Sequence, residues 1–463
     1  ALPVILCVAA RAINVRNDSS PATLHFRPDG TFTILQLADL HFANGELSSC
    51  ADLTEEERAW PCSDDNSTVF VERLLREERP DLVVFTGDNI VGEASDAFSA
   101  MRRAVQPVID ARVPWLATLG NHDEQARASR DDLMATLASW PFSAVRPGPR
   151  GVYNGAGTYH VPVAPARGSD PGSGLSLYVV DSGAYSPDPD LPGYDWIHGD
   201  QLAWLKDTCG RVHRDHAAGS PAGLAFFHIP LPQYSALLAA GTPISGSYHQ
   251  TVCTGAIDSG AFDVLRGCGD VRAVFVGHDH INDFCGAWHG VQLCYSGGAG
   301  YHAYGLAGWE RRARLIRAVD SGMAGVTWKT LDSRPRKMPP RRVDREVLWG
   351  HPASATDSSA RNATAASRKA APAVPLIQVT TVFEAEERGE RDEAEGVFAA
   401  APGDAIKGGD HRSPRGPAEE RGESASVPRG AGTARRGWVM RRRMRLASGA
   451  VLSEDWHQRR HVQ

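Results

Sequence analysis

Short, unbroken apolar runs recur along the first two thirds of the chain, each closed by Gly or a charged residue and separated by stretches of helical period. FTILQLA (32–38), DLVVFTG (81–87), PWLATLG (114–120), LSLYVVD (175–181), GLAFFHI (223–229) and VRAVFVG (271–277) are rich in Val, Leu, Ile and Phe. Runs of this kind, without polar alternation, predict strands buried on both faces. Between the first two, TVFVERLLREERP spaces its apolar residues at helical intervals and stops at Pro80, which predicts an amphipathic helix. SDAFSAMRRAVQPVIDARVP repeats the pattern between the second and third. Strand, helix and strand in succession predict an α/β layered domain joined by crossover helices.

After Leu331 the character changes. Residues 333–463 are rich in Arg, Glu, Ala, Gly, Ser and Pro, with stretches such as EAEERGERDEAEG and no sustained period, so a disordered tail is expected there. Its basic piece RRGWVMRRRMRL around Trp438 reads as a solvated charge run, with docking on an anionic surface as the alternative. The expected organisation is a leader over 1–23, one domain over 24–332 and the tail.

Composition changes this picture little. At 463 residues and 42% hydrophobic the chain can bury a sizeable core. A net charge of -6 gives no reason to expect a nucleic-acid partner. The opening ALPVILCVAARA has the length and small-residue ending of a secretory signal remnant. It is too short to span a bilayer, and no later stretch offers about 20 continuous apolar residues, so no transmembrane segment is expected. Sequons at Asn17, Asn66 and Asn362 are compatible with a secreted glycoprotein. The eight cysteines are scattered, without a C-x-x-C metal pattern. Cys50 with Cys62, and Cys285 with Cys294 across a hairpin turning at Trp288 to Gly290, are the expected disulfides. Cys209, Cys253 and Cys268 leave an odd member. Buried thiols in a cytoplasmic protein are the competing reading.

The chemistry gathers at the strand ends. Asp39 and His41 follow the first run, Asp88 the second, Asn121 and His122 the third, His228 closes GLAFFH, and His278 and His280 follow VRAVFVG. In an α/β sheet the carboxyl edge is where loops build a ligand crevice. Asp39 and His41 stand two apart, so in an extended segment they share a face and can grip one ion; His278 and His280 repeat the spacing. Carboxylate, imidazole and amide donors suit Mn, Fe or Zn, and the lack of Cys argues against a structural zinc site.

The ordered set DLH, GDN, GNHD, the His of FFHIP and GHDH resembles the five blocks of the calcineurin-like metallophosphoesterase superfamily. ILQLADLHF, PDLVVFTGDNI, LATLGNHDE, FFHIPLPQY, GHDHINDFCG and GGAGYHAYGLAGWERRAR are similar to its plant and fungal purple acid phosphatase-like branch, the group numbered 28 and 29 in plants. The resemblance spans about Leu24 to Leu331. It implies a four-layer sandwich, two mixed β-sheets flanked by helices, carrying a centre of two divalent ions, Fe, Mn or Zn. Asp39, His41 and His280 would bind the first ion, Asn121, His228 and His278 the second, and Asp88 would bridge them. His122 would hydrogen-bond the phosphate and protonate the leaving oxygen. The implied reaction is hydrolysis of a phosphomonoester, in a small molecule or a phosphoprotein, by hydroxide held between the ions. A phosphodiesterase on the same centre and a catalytically silent binding protein are the alternatives.

Two positions depart from the purple acid phosphatases. Val91 stands where they carry the Tyr that colours ferric iron, and His41 where they have Gly, so a colourless centre is expected. The Ser/Thr phosphatases use an Asp at the Val91 position to orient the catalytic His, a task Val91 cannot perform. His249, Tyr301 and His302, in polar or Gly-rich loops, are candidate substrate contacts. Arg311 and Arg312 are expected at the surface.

Overall fold

The computed structural model describes residues 23–350, leaving out 44, 46–48, 60, 149–153, 171, 217–218 and 333–340, and three later strands at 378–386, 437–445 and 451–458. The strands run in chain order β1 (Leu24–His25), β2 (Phe32–Leu37), β3 (Leu82–Thr86), β4 (Trp115–Thr118), β5 (Tyr159–Ala164), β6 (Leu175–Val179) and β7 (Ala222–Phe226). They continue with β8 (Ile244–Ser245), β9 (Val271–Val276), β10 (Cys285–Trp288), β11 (Val291–Tyr295), β12 (Arg312–Val319), β13 (Ala324–Leu331) and β14 (Arg341–Trp349). Every apolar run singled out in the sequence is one of these strands.

They form two mixed sheets. One has the order β14-β13-β12-β2-β3-β4, the other β1-β5-β6-β7-β9-β11-β10-β8. Within the first, β2, β3 and β4 are parallel; within the second, β6, β7, β9 and β11 are parallel. The strand period sorts their side chains. Leu175, Leu177, Val179, Leu224, Phe226, Ala273 and Phe275 join the core that holds β2, β3 and β4. Their neighbours Tyr178, Val180, Ala225, Phe227, Val274 and Val276 face the other way, into a second core with Leu205, Leu237 and Leu265 of three helices. Both faces of these strands are therefore covered, which is why they read as continuous apolar runs. This is the four-layer α/β sandwich with two mixed sheets.

The crossover helices Asp65–Glu78 and Ala97–Asp110 link β2 to β3 and β3 to β4. The first ends with Arg79 in a left-handed conformation ahead of Pro80. In the second, the Asp96 carboxylate accepts from the amides of Phe98 and Ser99, a side-chain cap that satisfies two free donors. Disulfides join Cys50 to Cys62 and Cys285 to Cys294 as expected, and Cys209 to Cys268, leaving Cys253 outside the three. The β10–β11 turn uses His289 and Gly290, both at positive φ, the geometry of a two-residue hairpin.

Three expectations are corrected. The first sheet extends past residue 332: β14 pairs antiparallel with β13, tied by Asp344 to Lys329 at 2.7 Å and by Arg342 to Glu78 at 2.8 Å. As a charged edge strand it lacks the apolar run by which strands are read. Arg311 and Arg312 are buried. Arg312 donates to Asp283 at 2.7 Å over the Trp309 ring, and Arg311 donates to the carbonyls of Ala51, Ala303 and Tyr304. Asn66 is buried in a helix with its amide on Cys62 Sγ, so its sequon presents no exposed amide. Cys7, Asn17 and Asn362, with the leader up to residue 22, lie outside the described residues. Strands 378–386, 437–445 and 451–458 pair in a three-stranded sheet of their own. No helix among the described residues is long and apolar enough to cross a membrane.

Candidate metal centre

β2, β3 and β4 of one sheet and β7 and β9 of the other end at the same edge, and the residues just past those ends meet. Donor atoms of Asp39, His41, Asp88 and His280 lie within 4.8 Å of one another, as do those of Asp88, His228 and His278. Asp88 belongs to both groups. Asn121 Oδ1 joins the second, 3.1 Å from His228 Nε2. All seven donors are buried, and residues up to about 240 positions apart in the chain meet in one place.

The local backbone is unusual. Asp39, His41, Asp88 and His278 all adopt positive φ, between 47° and 75°, a conformation costing L-residues roughly 1–2 kcal/mol each. Asp39 and His41 therefore do not share a face through extended chain, as their spacing suggests, but through two left-handed residues. Cross-links hold them there. The amides of Asp39 and His41 donate to the carbonyls of Gly87 and Asp88, at 3.1 and 2.9 Å. The His278 amide donates to Asp39 Oδ1 and the His122 amide to Asp88 Oδ1. His228 Nδ1 donates to the Thr86 carbonyl and His280 Nδ1 to that of Tyr304, which aims each Nε2 at the cluster. The Tyr304 ring stacks on His280 at 3.7 Å.

The electrostatics call for a cation. Burial, with the Asp88 charge adding to it, pushes the Asp39 carboxyl up to about 8. Asp39 Oδ2 is buried with no hydrogen-bond partner among the described residues. His41 Nε2 and His280 Nε2 approach to 3.2 Å, as do His278 Nδ1 and His228 Nε2. Imidazole nitrogens and carboxylate oxygens converging in this way fit divalent ions such as Mn, Fe or Zn.

His122 sits at the rim of this cluster, its ring 5.2 Å from that of His41. Its Nδ1 faces Gln125 Oε1 at 2.7 Å, so Gln125 takes up the orienting task that Val91 cannot. Gly92 leaves the space: a Cβ there would lie 2.4 Å from Gln125 Oε1. Gln125, three residues beyond His122 in the short Asp123–Ala126 turn, was not singled out in the sequence. Asp123 was not singled out either; it is buried and accepts from the amides of Gly120 and Ile90 and from Asn89, locking two donor loops together. Arg130, paired with Asp181, donates to the carbonyls of Leu119 and Gly120.

Of the candidate substrate contacts, His302 bonds the Ser49 carbonyl through Nδ1 at 2.7 Å. Tyr301 does not fit that role, because its buried hydroxyl donates to Asp332 at 2.6 Å, and Asp332 pairs with Arg73. His249 packs edge-on against Trp309, its amide on Asn282 Oδ1.

Residues 32–282 match the model of the calcineurin-like phosphoesterase family. Two proteins of Arabidopsis thaliana, named "Probable inactive purple acid phosphatase 29" and "Probable inactive purple acid phosphatase 28", are 41% and 40% identical to the chain. The first alignment covers 72% of this chain and 89% of the relative, the second 70% and 86%. "Phosphatase DCR2" of Saccharomyces cerevisiae is 34% identical over 69% of this chain and 57% of its own length. With the sandwich and the strand-end donors in place over the matched residues, the chain belongs to the calcineurin-like phosphoesterase family.

Proposed function

We propose that the chain is a phosphatase that hydrolyses phosphomonoesters at a centre of two divalent ions. The observation that carries the reading is the pair of buried donor groups sharing Asp88, with His122 at their rim. Asp39, His41 and His280 would hold one ion, Asn121, His228 and His278 the other, and Asp88 both. Two ions so held polarise phosphoryl oxygens and lower the pKa of water. His122 turns Nδ1 to Gln125, so Nε2 is the atom that can give a proton to the leaving oxygen. His302 would be a substrate contact. The name of the yeast relative supports a phosphatase; those of the Arabidopsis relatives favour a second reading, a silent site that binds ligand without turnover. Against that, every donor is present and oriented. The three disulfides support an oxidising, secretory compartment.

The test is metal content together with hydrolysis of an aryl phosphomonoester and a matched diester by the full chain. About two ions per chain with faster monoester turnover is the expected result. Faster diester turnover would make it a phosphodiesterase. No turnover after reconstitution with Mn, Fe or Zn would overturn the catalytic reading.

A further inference from the structure

The Tyr185 hydroxyl meets two side-chain amides at once. Asn121 Nδ2 donates to it at 3.1 Å and Gln125 Nε2 at 3.0 Å. An amide's oxygen and nitrogen ends have nearly the same shape, so which end points inward is decided by hydrogen bonding. With both nitrogens turned to Tyr185, Asn121 Oδ1 faces His228 Nε2 at 3.1 Å and Gln125 Oε1 faces His122 Nδ1 at 2.7 Å. From this we infer that Tyr185 is the positioning residue of the site: one hydroxyl sets the oxygen ligand of the second ion and, through Gln125, the tautomer of His122. The inference rests on the phosphatase reading for its catalytic consequence and on geometry for the rest.

Tyr185 is itself held. Its ring stacks on Tyr194 at 5.7 Å, and Tyr194 stands edge-on to His278 at 4.3 Å. The two tyrosines also share an isolated backbone bridge. The phenol oxygen thus has a fixed position relative to the second donor group. Gln125 differs chemically from an orienting carboxylate. A neutral carbonyl can only accept, so it fixes the ring with the proton on Nδ1.

Tyr185→Phe keeps the ring and removes only the hydroxyl, and three measurements follow. In the metal-free full chain labelled with 15N-histidine, the His122 ring signals, identified by their loss in His122→Asn, should report the Nδ1–H tautomer, and the variant should shift them toward a mixture. Titration with Mn should show the second ion bound roughly 10–100-fold more weakly, the usual cost of losing a residue that orients a ligand, with the first ion little changed. In the loaded protein, kcat for an alkyl phosphate should fall more than kcat for a nitrophenyl phosphate, whose leaving group needs no acid, while KM moves little. Gln125→Ala should reproduce the tautomer shift and the leaving-group effect and spare the second ion. Unchanged His122 signals and unchanged second-ion affinity in Tyr185→Phe would overturn the inference, and unchanged signals in Gln125→Ala would do so even if Tyr185→Phe failed to fold. If the wild-type chain hydrolyses no ester, the phosphatase reading fails, and the tautomer and titration results still decide the role of Tyr185.

Discussion

Asp88 Oδ2 lies 3.2 Å from His228 Nε2, while His41 Nε2 stands on its other side at 3.6 Å. One carboxylate therefore serves two buried donor groups drawn from both sheets. Burial alone would raise its pKa, but the His228, His122 and His41 rings beside it outweigh that and hold Asp88 well below the usual carboxylate range. Asp88→Asn keeps the shape and removes the shared charge. It should weaken metal binding by more than the ~10–100-fold that follows loss of a supporting residue, and ester hydrolysis should fall with it. Calorimetric titration of the variant with Mn checks this; wild-type stoichiometry and affinity would contradict it.

Gly120 lies against the same carboxylate. A Cβ added there would meet Asp88 Oδ1 at 2.1 Å and the Asp88 amide nitrogen at 2.3 Å, contacts that backbone cannot relieve cheaply. Gly120→Ala should cost about 1–3 kcal/mol of stability, as overpacked sites do, and should lose metal with it. Denaturant midpoints of the metal-free proteins separate the first effect from the second.

Asp283, paired with Lys329 and Arg312, should govern part of the acid limb of stability. Burial opposes its charge, but Lys329 at 3.1 Å and Arg312 at 2.7 Å more than offset this and hold the carboxyl well below its ordinary value. A depressed folded pKa means that its contribution is complete above the unfolded value of ~3.9 and is lost as pH falls through the lower folded value. In Asp283→Asn the loss of stability in that acid window should be shallower. The variant should also be less stable at neutral pH by roughly 3–5 kcal/mol, because two buried cations lose a partner. Chemical denaturation across pH measures both.

The Cys209–Cys268 bridge joins the helix Gly199–Asp215 to the C-terminal cap of the helix Ala261–Gly267 over a separation of 59 residues. Closing a loop of that length removes enough unfolded-chain entropy to stabilise by ~4 kcal/mol. The double substitution Cys209→Ala with Cys268→Ala should lower stability by an amount of that order, measured by the denaturant midpoint, without altering metal stoichiometry. An unchanged midpoint would show that the bridge contributes little.

Colour offers a direct spectroscopic check. Val91 is buried and apolar where a coordinating Tyr would be needed, and Tyr304 stacks on His280 with its hydroxyl on Gln250. Iron-loaded protein should show no tyrosinate charge-transfer band in the visible spectrum. A purple product would mean that another tyrosine reaches the ion.

Much of the centre was legible because chemistry and position coincide. His228 and Asp88 are polar residues closing runs that are otherwise apolar, and a strand has no structural use for them there. Gln125, Tyr185 and Asp123 were not legible in this way. Each acts through a partner brought close by folding, and Tyr185 sits in a loop with no periodicity to mark it. Tyr301 misled for the opposite reason: a Gly-rich loop beside the site looked like a substrate loop, yet its hydroxyl is spent on Asp332.

The sequence by itself determined the alternation of apolar strands and amphipathic helices, and with it the α/β layers, because burial on both faces leaves a continuous apolar run. It also determined which donors stand at the strand ends. Only the tertiary structure decided how those donors are shared. The order of β2, β3 and β4 beside β7 and β9 puts Asp88 in both groups. Left-handed turns at Asp39 and His41 swing their side chains together where extended chain was expected. One tyrosine hydroxyl sets two amides. Such relations depend on backbone conformations and through-space hydrogen bonds that no local pattern of residues encodes, and they arise when two sheets pack face to face and bring their strand ends to one crevice.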